Sequence, residues 1–125
     1  MEFYQEVHSE NIAVSSLQEL LTVNSLETYC DSITEVSSIN GDVGDIYCIW
    51  GAFTVQRVEL KHGVRFSLLS CPHALAWSIT LNTENNMLII HCTIDKKESD
   101  QDFSESIEGF VNDWHNGLSS KLPST

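Results

Sequence analysis

Residues 75–94, LAWSITLNTENNMLIIHCTI, decide the fold because their pattern predicts one β-hairpin. Large apolar side chains alternate with small or polar ones on each side of the turn-forming segment TENN. With Glu84 and Asn85 as a two-residue turn, Trp77 faces Cys92 on the apolar face. A shift of one residue would pair apolar positions with polar ones, so the alternation specifies this register.

The hairpin before it is predicted from the loop Lys61-His62-Gly63, in which Gly63 adopts the left-handed conformation of a bulge. This three-residue loop would pair Val58 with Phe66, so that both side chains face the core. Together the two hairpins predict an antiparallel meander over residues 45–95.

A long C-terminal helix follows the meander. It is predicted by one apolar stripe at helical spacing, formed by Phe103, Ile107, Phe110, Val111, Trp114 and Leu118. Ser99 or Asp100 is expected to cap the start of this helix, because their oxygens can accept hydrogen bonds from its first amides. Gly117 is expected to end it, since glycine is common just beyond the last helical turn.

The N-terminal part of the chain predicts one or two short helices. Ser15 or Ser16 would begin the first, and residues 24–27, NSLE, have the form of a capping box that begins a second. Residues 1–8 alternate in the manner of a strand, whereas residues 37–44 are expected to form a loop.

The predicted fold class is therefore α+β. It combines an antiparallel four- to five-stranded meander sheet, packed by a long C-terminal helix, with one or two N-terminal helices. This order resembles the helix-grip fold of the START and Bet v 1 superfamily, in which a curved antiparallel sheet wraps a C-terminal helix around an apolar cavity. We expect a single α+β domain over residues 1–118 and a disordered tail over residues 119–125.

The distribution of charge limits the partners of the chain. The net charge is −12, no Lys or Arg precedes Arg57, and nine acidic residues lie between Glu2 and Asp45. Such a surface repels nucleic acid and anionic membranes and attracts basic proteins. The start of the chain lacks the basic residues of a secretory or mitochondrial signal, and its apolar runs are too short to span a membrane. We therefore expect a cytoplasmic protein.

The cysteines and histidines predict no chemistry of their own. The four cysteines are Cys30, Cys48, Cys71 and Cys92, and we expect all of them to be free thiols. Cys71-Pro72-His73, with His91 and Cys92, supplies the ligand types that zinc prefers, but not their usual spacing. We expect no metal ion and no cofactor, and no catalytic residue is identified. A non-enzymatic role is favoured.

The strand from Ile46 differs from the others because large apolar residues lie on both of its faces. A second apolar face needs a cover, which could be another subunit. Together with small residues of a later strand, this face defines a candidate interface: Tyr47, Ile49, Phe53, Val55, Ala74 and Ala76.

Two functions are compatible with these observations. The first is a non-enzymatic, self-associating protein-interaction module, forming a homodimer and binding a basic protein partner. The alternative is a small apolar-ligand-binding protein of helix-grip type, with its cavity between the sheet and the C-terminal helix. An empty pocket above ~300 Å³ beneath that helix would favour the alternative.

Overall fold

The described part of the chain forms one antiparallel sheet with helices against one face. The computed structural model describes residues 2–8, 12–69, 71, 74–94 and 101–122. The strands in these ranges are β1 (Glu2–His8), β2 (Ile33–Asn40), β3 (Val43–Cys48), β4 (Gly51–Leu60), β5 (Gly63–Leu69), β6 (Ala76–Asn82) and β7 (Met87–Thr93). The α-helices are α1 (Val14–Leu20), α2 (Leu26–Tyr29) and α3 (Gln101–Lys121), and a 3-10 turn at Val23–Ser25 precedes α2.

The α+β class, the antiparallel sheet and the long C-terminal helix are confirmed, but the predicted strand number is wrong. The sheet has seven strands in the order β1-β7-β6-β5-β4-β3-β2. β2 contains a run of β-branched residues. It forms an edge strand, where the sequence predicts the end of a helix followed by a loop. The segment from Ile46 divides into β3 and β4, because the chain reverses at Ile49 and Trp50. β1 completes the sheet by pairing with β7.

The hairpin between β6 and β7 has the predicted register. Trp77 pairs with Cys92 and Ile79 with Ile90. Residues 83–86 form the loop. The alternation on the two strands is sufficient to set this pairing, because a slip would turn the buried side chains of Leu88, Ile90 and Cys92 to the outer face.

The predicted register of the preceding hairpin is wrong by one residue. Its turn consists of Lys61 and His62, so that Val58 pairs with Arg65 and not with Phe66. Gly63 lies within β5, where it allows close approach of β6 and does not serve the turn. A Cβ atom at this position would overlap the main chain of Ile79 and Thr80 on the neighbouring strand.

The shift of one residue turns Arg57 towards the interior. Its guanidinium donates hydrogen bonds to the carbonyl oxygens of Gln18 (2.6 Å) and Leu21 (2.7 Å) at the end of α1. It also lies 3.2 Å from a carboxylate oxygen of Asp42. Carbonyls at a helix end lack intrahelical partners, so this cation both satisfies them and holds α1 on the sheet.

Helix α3 packs on the inner face of the sheet, closest to β1 and β7. Its buried residues are Ile107, Phe110, Val111, Trp114, Gly117 and Leu118. The prediction that Gly117 ends the helix is wrong, since α3 continues to Lys121. Gly117 instead lies where the main chain of Tyr29 crosses α3, at a distance that leaves no room for a Cβ atom. The predicted caps Ser99 and Asp100 lie outside the described residues.

Two glycines of α3 provide a matched test of this close approach. Gly117→Ala should destabilise the protein by about 1–3 kcal/mol, because its methyl group forces α2 away from α3. Gly109→Ala has open space around the new methyl group, and should stabilise the helix by about 0.5–1 kcal/mol. Chemical denaturation of both variants measures the two changes. Equal stability of the two variants would contradict the described packing.

Candidate functional site

The residues of the candidate interface do not share a face. Tyr47 and Ile49 are 56% and 51% exposed, whereas Val55 is completely buried. The physical reason is the two-residue turn between β3 and β4, which pairs Tyr47 with Ala52. Odd-numbered residues of β3 face outward, but after this turn the odd-numbered residues of β4 face inward. The prediction of one apolar face including Phe53 and Val55 is therefore wrong.

The two alanines of the candidate interface also lie apart. Ala74 is exposed and has a positive φ of 49°, in the connection before β6. Ala76 is 3% exposed and starts β6 on the face opposite to Trp77. The six residues thus form no single surface. The homodimer and the basic protein partner stay predictions.

A row of large side chains crosses the inner face of the sheet. The strand registers pair Phe3 of β1 with Cys92 of β7, Cys92 with Trp77 of β6, and Trp77 with Phe66 of β5. Residues paired directly across neighbouring strands point to the same face. The row therefore runs from the β1 edge of the sheet into its centre.

Helix α3 closes over this row with aromatic contacts. The ring centroids of Trp77 and Phe110 are 4.9 Å apart in an edge-to-face arrangement. Trp114 lies 6.3 Å from Trp77 and 6.4 Å from Phe66. Edge and offset contacts at these distances are favourable for aromatic rings, so the layer is held by shape and by ring electrostatics.

The turn between β3 and β4 contributes a further aromatic residue to this layer. Trp50 donates a hydrogen bond from Nε1 to Oγ of Ser106 on α3 (2.9 Å). Its ring lies 4.9 Å from that of Phe110 and 6.1 Å from that of Phe103. Trp50 thereby ties the turn to the N-terminal half of α3.

Two other indole groups in the layer differ from Trp50 in having no hydrogen-bond partner. Nε1 of Trp77 and Nε1 of Trp114 are buried, and the described residues offer neither of them an acceptor. The two side chains are 1% and 0% exposed. Nδ1 of His115, next to Trp114, is a third buried polar atom without a partner among the described residues. Buried polar groups are nearly always paired in native proteins, so these neighbouring exceptions call for an explanation.

A cleft lies beside this layer, between β1 and α3. It has a volume of about 310 Å³ and is lined by Phe3, Tyr4, Gln5, Glu108 and Val111. Phe3 is the first member of the row that leads to Trp77, and Val111 lies one helical turn before Trp114. The cleft opens to solvent beside Tyr4 and Glu108, which are exposed.

Sequence reasoning missed Gln5 and Glu108. For Gln5 a signal was present, because Phe3, Gln5 and Val7 alternate onto one face of β1 and a polar residue between two inward-facing apolar ones is unusual. For Glu108 no such signal was present, since it is one of several acidic residues on the polar side of α3.

A second, larger cleft has no helix above it. Its volume is about 380 Å³, and it is lined by Asp45, Ala52, Phe53, Thr54 and Leu69. Asp45 pairs with Thr54, and Thr54 with Leu69, on the outer face of the sheet. A hydrogen bond of 2.9 Å from the Thr54 hydroxyl to the Asp45 carboxylate crosses the cleft. Because α3 packs on the opposite face, the cleft at β1 is the one of these two clefts that lies beneath the C-terminal helix.

The buried thiols are unreactive because burial keeps them protonated. Burial raises the pKa of Cys92 to about 12, and it also raises the pKa of Cys30 and of Cys48. None of the four cysteines forms a disulfide, and Cys71 is the most exposed of them. A protonated thiol is a weak nucleophile, so the buried cysteines act as packing groups.

Among the described residues, the cysteines and histidines that could bind zinc do not form one cluster. Cys92 points inward, as predicted, whereas His91 faces outward, stacks on Tyr4 at 4.3 Å and lies 3.1 Å from a Glu2 oxygen. His73 lies outside the described residues. The described residues contain no group of three or more His, Cys, Asp or Glu placed to hold a metal ion. The absence of zinc stays a prediction. No helix in the described ranges is long and apolar enough to cross a bilayer.

The comparisons with known proteins agree at the level of the fold. No protein-family model and no curated protein matches the chain. Among solved structures, a START superfamily protein from Mycobacterium smegmatis aligns with a TM-score of 0.65 and 8% identity, over 98% of this chain and 95% of the other. The chain has a START/Bet v 1-like helix-grip fold. The resemblance in element order is thereby confirmed.

Two further structures belong to the same comparison. A putative uncharacterized protein from Bacillus thuringiensis aligns with a TM-score of 0.64 and 16% identity, over 95% of each chain. An AHSA1-like protein from Aeromonas hydrophila aligns with a TM-score of 0.44 and 11% identity, over 96% of this chain and 93% of the other. The first prediction of function, a self-associating interaction module, is wrong: the chain has the helix-grip fold on which the alternative was based, and the six residues on which the module depended form no single apolar face.

The raised pKa of Cys92 predicts a loss of stability at high pH. The unfolded chain releases this proton near pH ~8.5, and the folded chain only near pH 12. Stability from this group is therefore present below pH ~8.5 and falls by about 1.4 kcal/mol per pH unit above it. Denaturation between pH 8 and 11 should show a shallower decline for Cys92→Ala than for Cys71→Ala. Parallel declines would show that the Cys92 thiol is not desolvated.

Proposed function

We propose that the protein binds a small, predominantly apolar molecule between the sheet and α3. The observation that carries this proposal is the pair of indole N–H groups on Trp77 and Trp114 without acceptors among the described residues, in the core layer next to a cleft lined by Phe3 and Val111. The helix-grip fold supports it, because this fold places its apolar interior between the sheet and the C-terminal helix.

The cleft has the dimensions and the lining of a ligand site. Its volume of about 310 Å³ lies at the lower end of the range for small-molecule sites, about 300–1,000 Å³. Phe3 and Val111 provide apolar walls, and Gln5 provides an amide that can both donate and accept a hydrogen bond. A few polar groups among apolar ones are typical of sites that orient a ligand.

The indole donors indicate one feature of the ligand. An unsatisfied buried donor costs about 1–3 kcal/mol relative to a paired one. A ligand that brings an acceptor such as a carbonyl, ether or ring nitrogen to Trp77 or Trp114 removes this cost. The apolar part of the ligand would lie along the row that begins at Phe3, with the acceptor at its inner end.

A neutral naphthyl ketone dye tests the proposal, since it combines an apolar body with one acceptor. Fluorescence titration should show saturable binding at one site per chain. Trp114→Phe keeps an aromatic ring but removes the donor, and should weaken dye binding about three- to tenfold, the worth of one hydrogen bond. No hydrogen bond of the free protein is lost in this variant, because Nε1 of Trp114 has no partner among the described residues, so any loss of folding stability comes from the smaller ring.

Trp50→Phe is the matched control. It also removes an indole N–H, but one that already donates to Ser106. This variant should lose about 1 kcal/mol of folding stability and keep the dye affinity of the wild-type protein. A wild-type protein that does not bind the dye, or equal losses of affinity in the two variants, would contradict the proposal.

A further inference from the structure

We infer that the ligand carries a cationic amine at its outer end and that Glu108 binds this amine at the mouth of the cleft. This inference rests on the proposed function, because it concerns the same site. It adds the charge of the ligand, which the buried part of the site does not specify.

The geometry separates the cleft into an apolar floor and a polar mouth. Phe3 and Val111 face the interior, and Val111 is 2% exposed. Glu108 precedes Val111 by one turn of α3 and is exposed at the rim. A ligand that lies along the row from Phe3 towards Trp77 therefore has its outer end at the rim, beside the Glu108 carboxylate.

The charges around the mouth favour a cation over an anion. Among the described residues that line the cleft, Glu108 is the acidic one and none is a Lys or Arg. Described basic side chains lie elsewhere: the guanidinium of Arg57 is held by Asp42 and α1, and Nζ of Lys121 donates to the carbonyl oxygen of Thr28. A fatty-acid carboxylate at the mouth would face Glu108 in a protein of net charge −12 and would be repelled.

Gln5 adds a second acceptor to the same cleft. Gln5 pairs with Ile90 of β7, so its side chain shares the inner face of the sheet with Phe3. Its amide oxygen can accept a hydrogen bond from an amine N–H.

Three derivatives of one dye test the charge preference. The naphthyl ketone is used in its neutral form, with a primary amine on a short alkyl tail, and with a carboxylate on the same tail. The wild-type protein should bind the amine form about fivefold more tightly than the neutral form, and the carboxylate form more weakly than either. Raising the salt concentration should reduce these differences, because the mouth is exposed to solvent.

Two variants of α3 distinguish a local contact from the general field of the protein. Glu108→Gln should abolish the preference for the amine and leave the affinity for the neutral dye unchanged. Glu105→Gln removes the same charge from the same helix, at a residue that accepts a hydrogen bond from Gln101 and does not line the cleft. This control should keep most of the preference.

The outcomes separate the two proposals. If the three dyes bind the wild-type protein equally, or if Glu105→Gln and Glu108→Gln have equal effects, this inference is wrong and the proposed function stands. If none of the dyes binds, the proposed function itself is wrong. If Glu108→Gln alone removes the preference, the amine is bound at the mouth of the cleft.

Discussion

The packing of Trp114 and Phe110 against Trp77 is the interaction on which the rest of the structure depends. These rings extend the contact of α3 from β1 and β7 to Trp77 of β6 on the inner face of the sheet. With α3 in this place, Gly117 meets the main chain of Tyr29, so α2 can cover the next part of the core. Arg57 performs the equivalent task for α1 by satisfying its terminal carbonyls.

The same packing explains why a site can exist beside a well-filled core. α3 packs beside β1 and β7 at one edge of the sheet and leaves a cleft against β1. The indole groups of Trp77 and Trp114 contribute large apolar areas to stability, while their N–H groups stay without acceptors. Features that lower stability without stabilising another part of the structure are expected at functional sites. These two donors lie in the layer that a ligand entering the cleft would approach.

Local patterns predicted some elements correctly and others incorrectly, for identifiable reasons. The pairing of Trp77 with Cys92 was predictable because two strands carried the same alternation. The β4–β5 register was not, since Gly63 serves the neighbouring strand and not its own turn. The assignment of Val55 to an outer face failed because a tight turn at Ile49 and Trp50 reversed the parity of the faces.

The sequence by itself determined the element order, the central hairpin and the apolar stripe of α3, because periodicity and turn residues act over a few neighbouring positions. Only the tertiary structure decided which faces meet and what lies between them. Gln5 and Glu108 are 103 residues apart in the chain, and they line one cleft only because β1 pairs with β7 and α3 crosses the sheet beside it. Such long-range neighbours are set by packing of the whole chain, which no local pattern encodes.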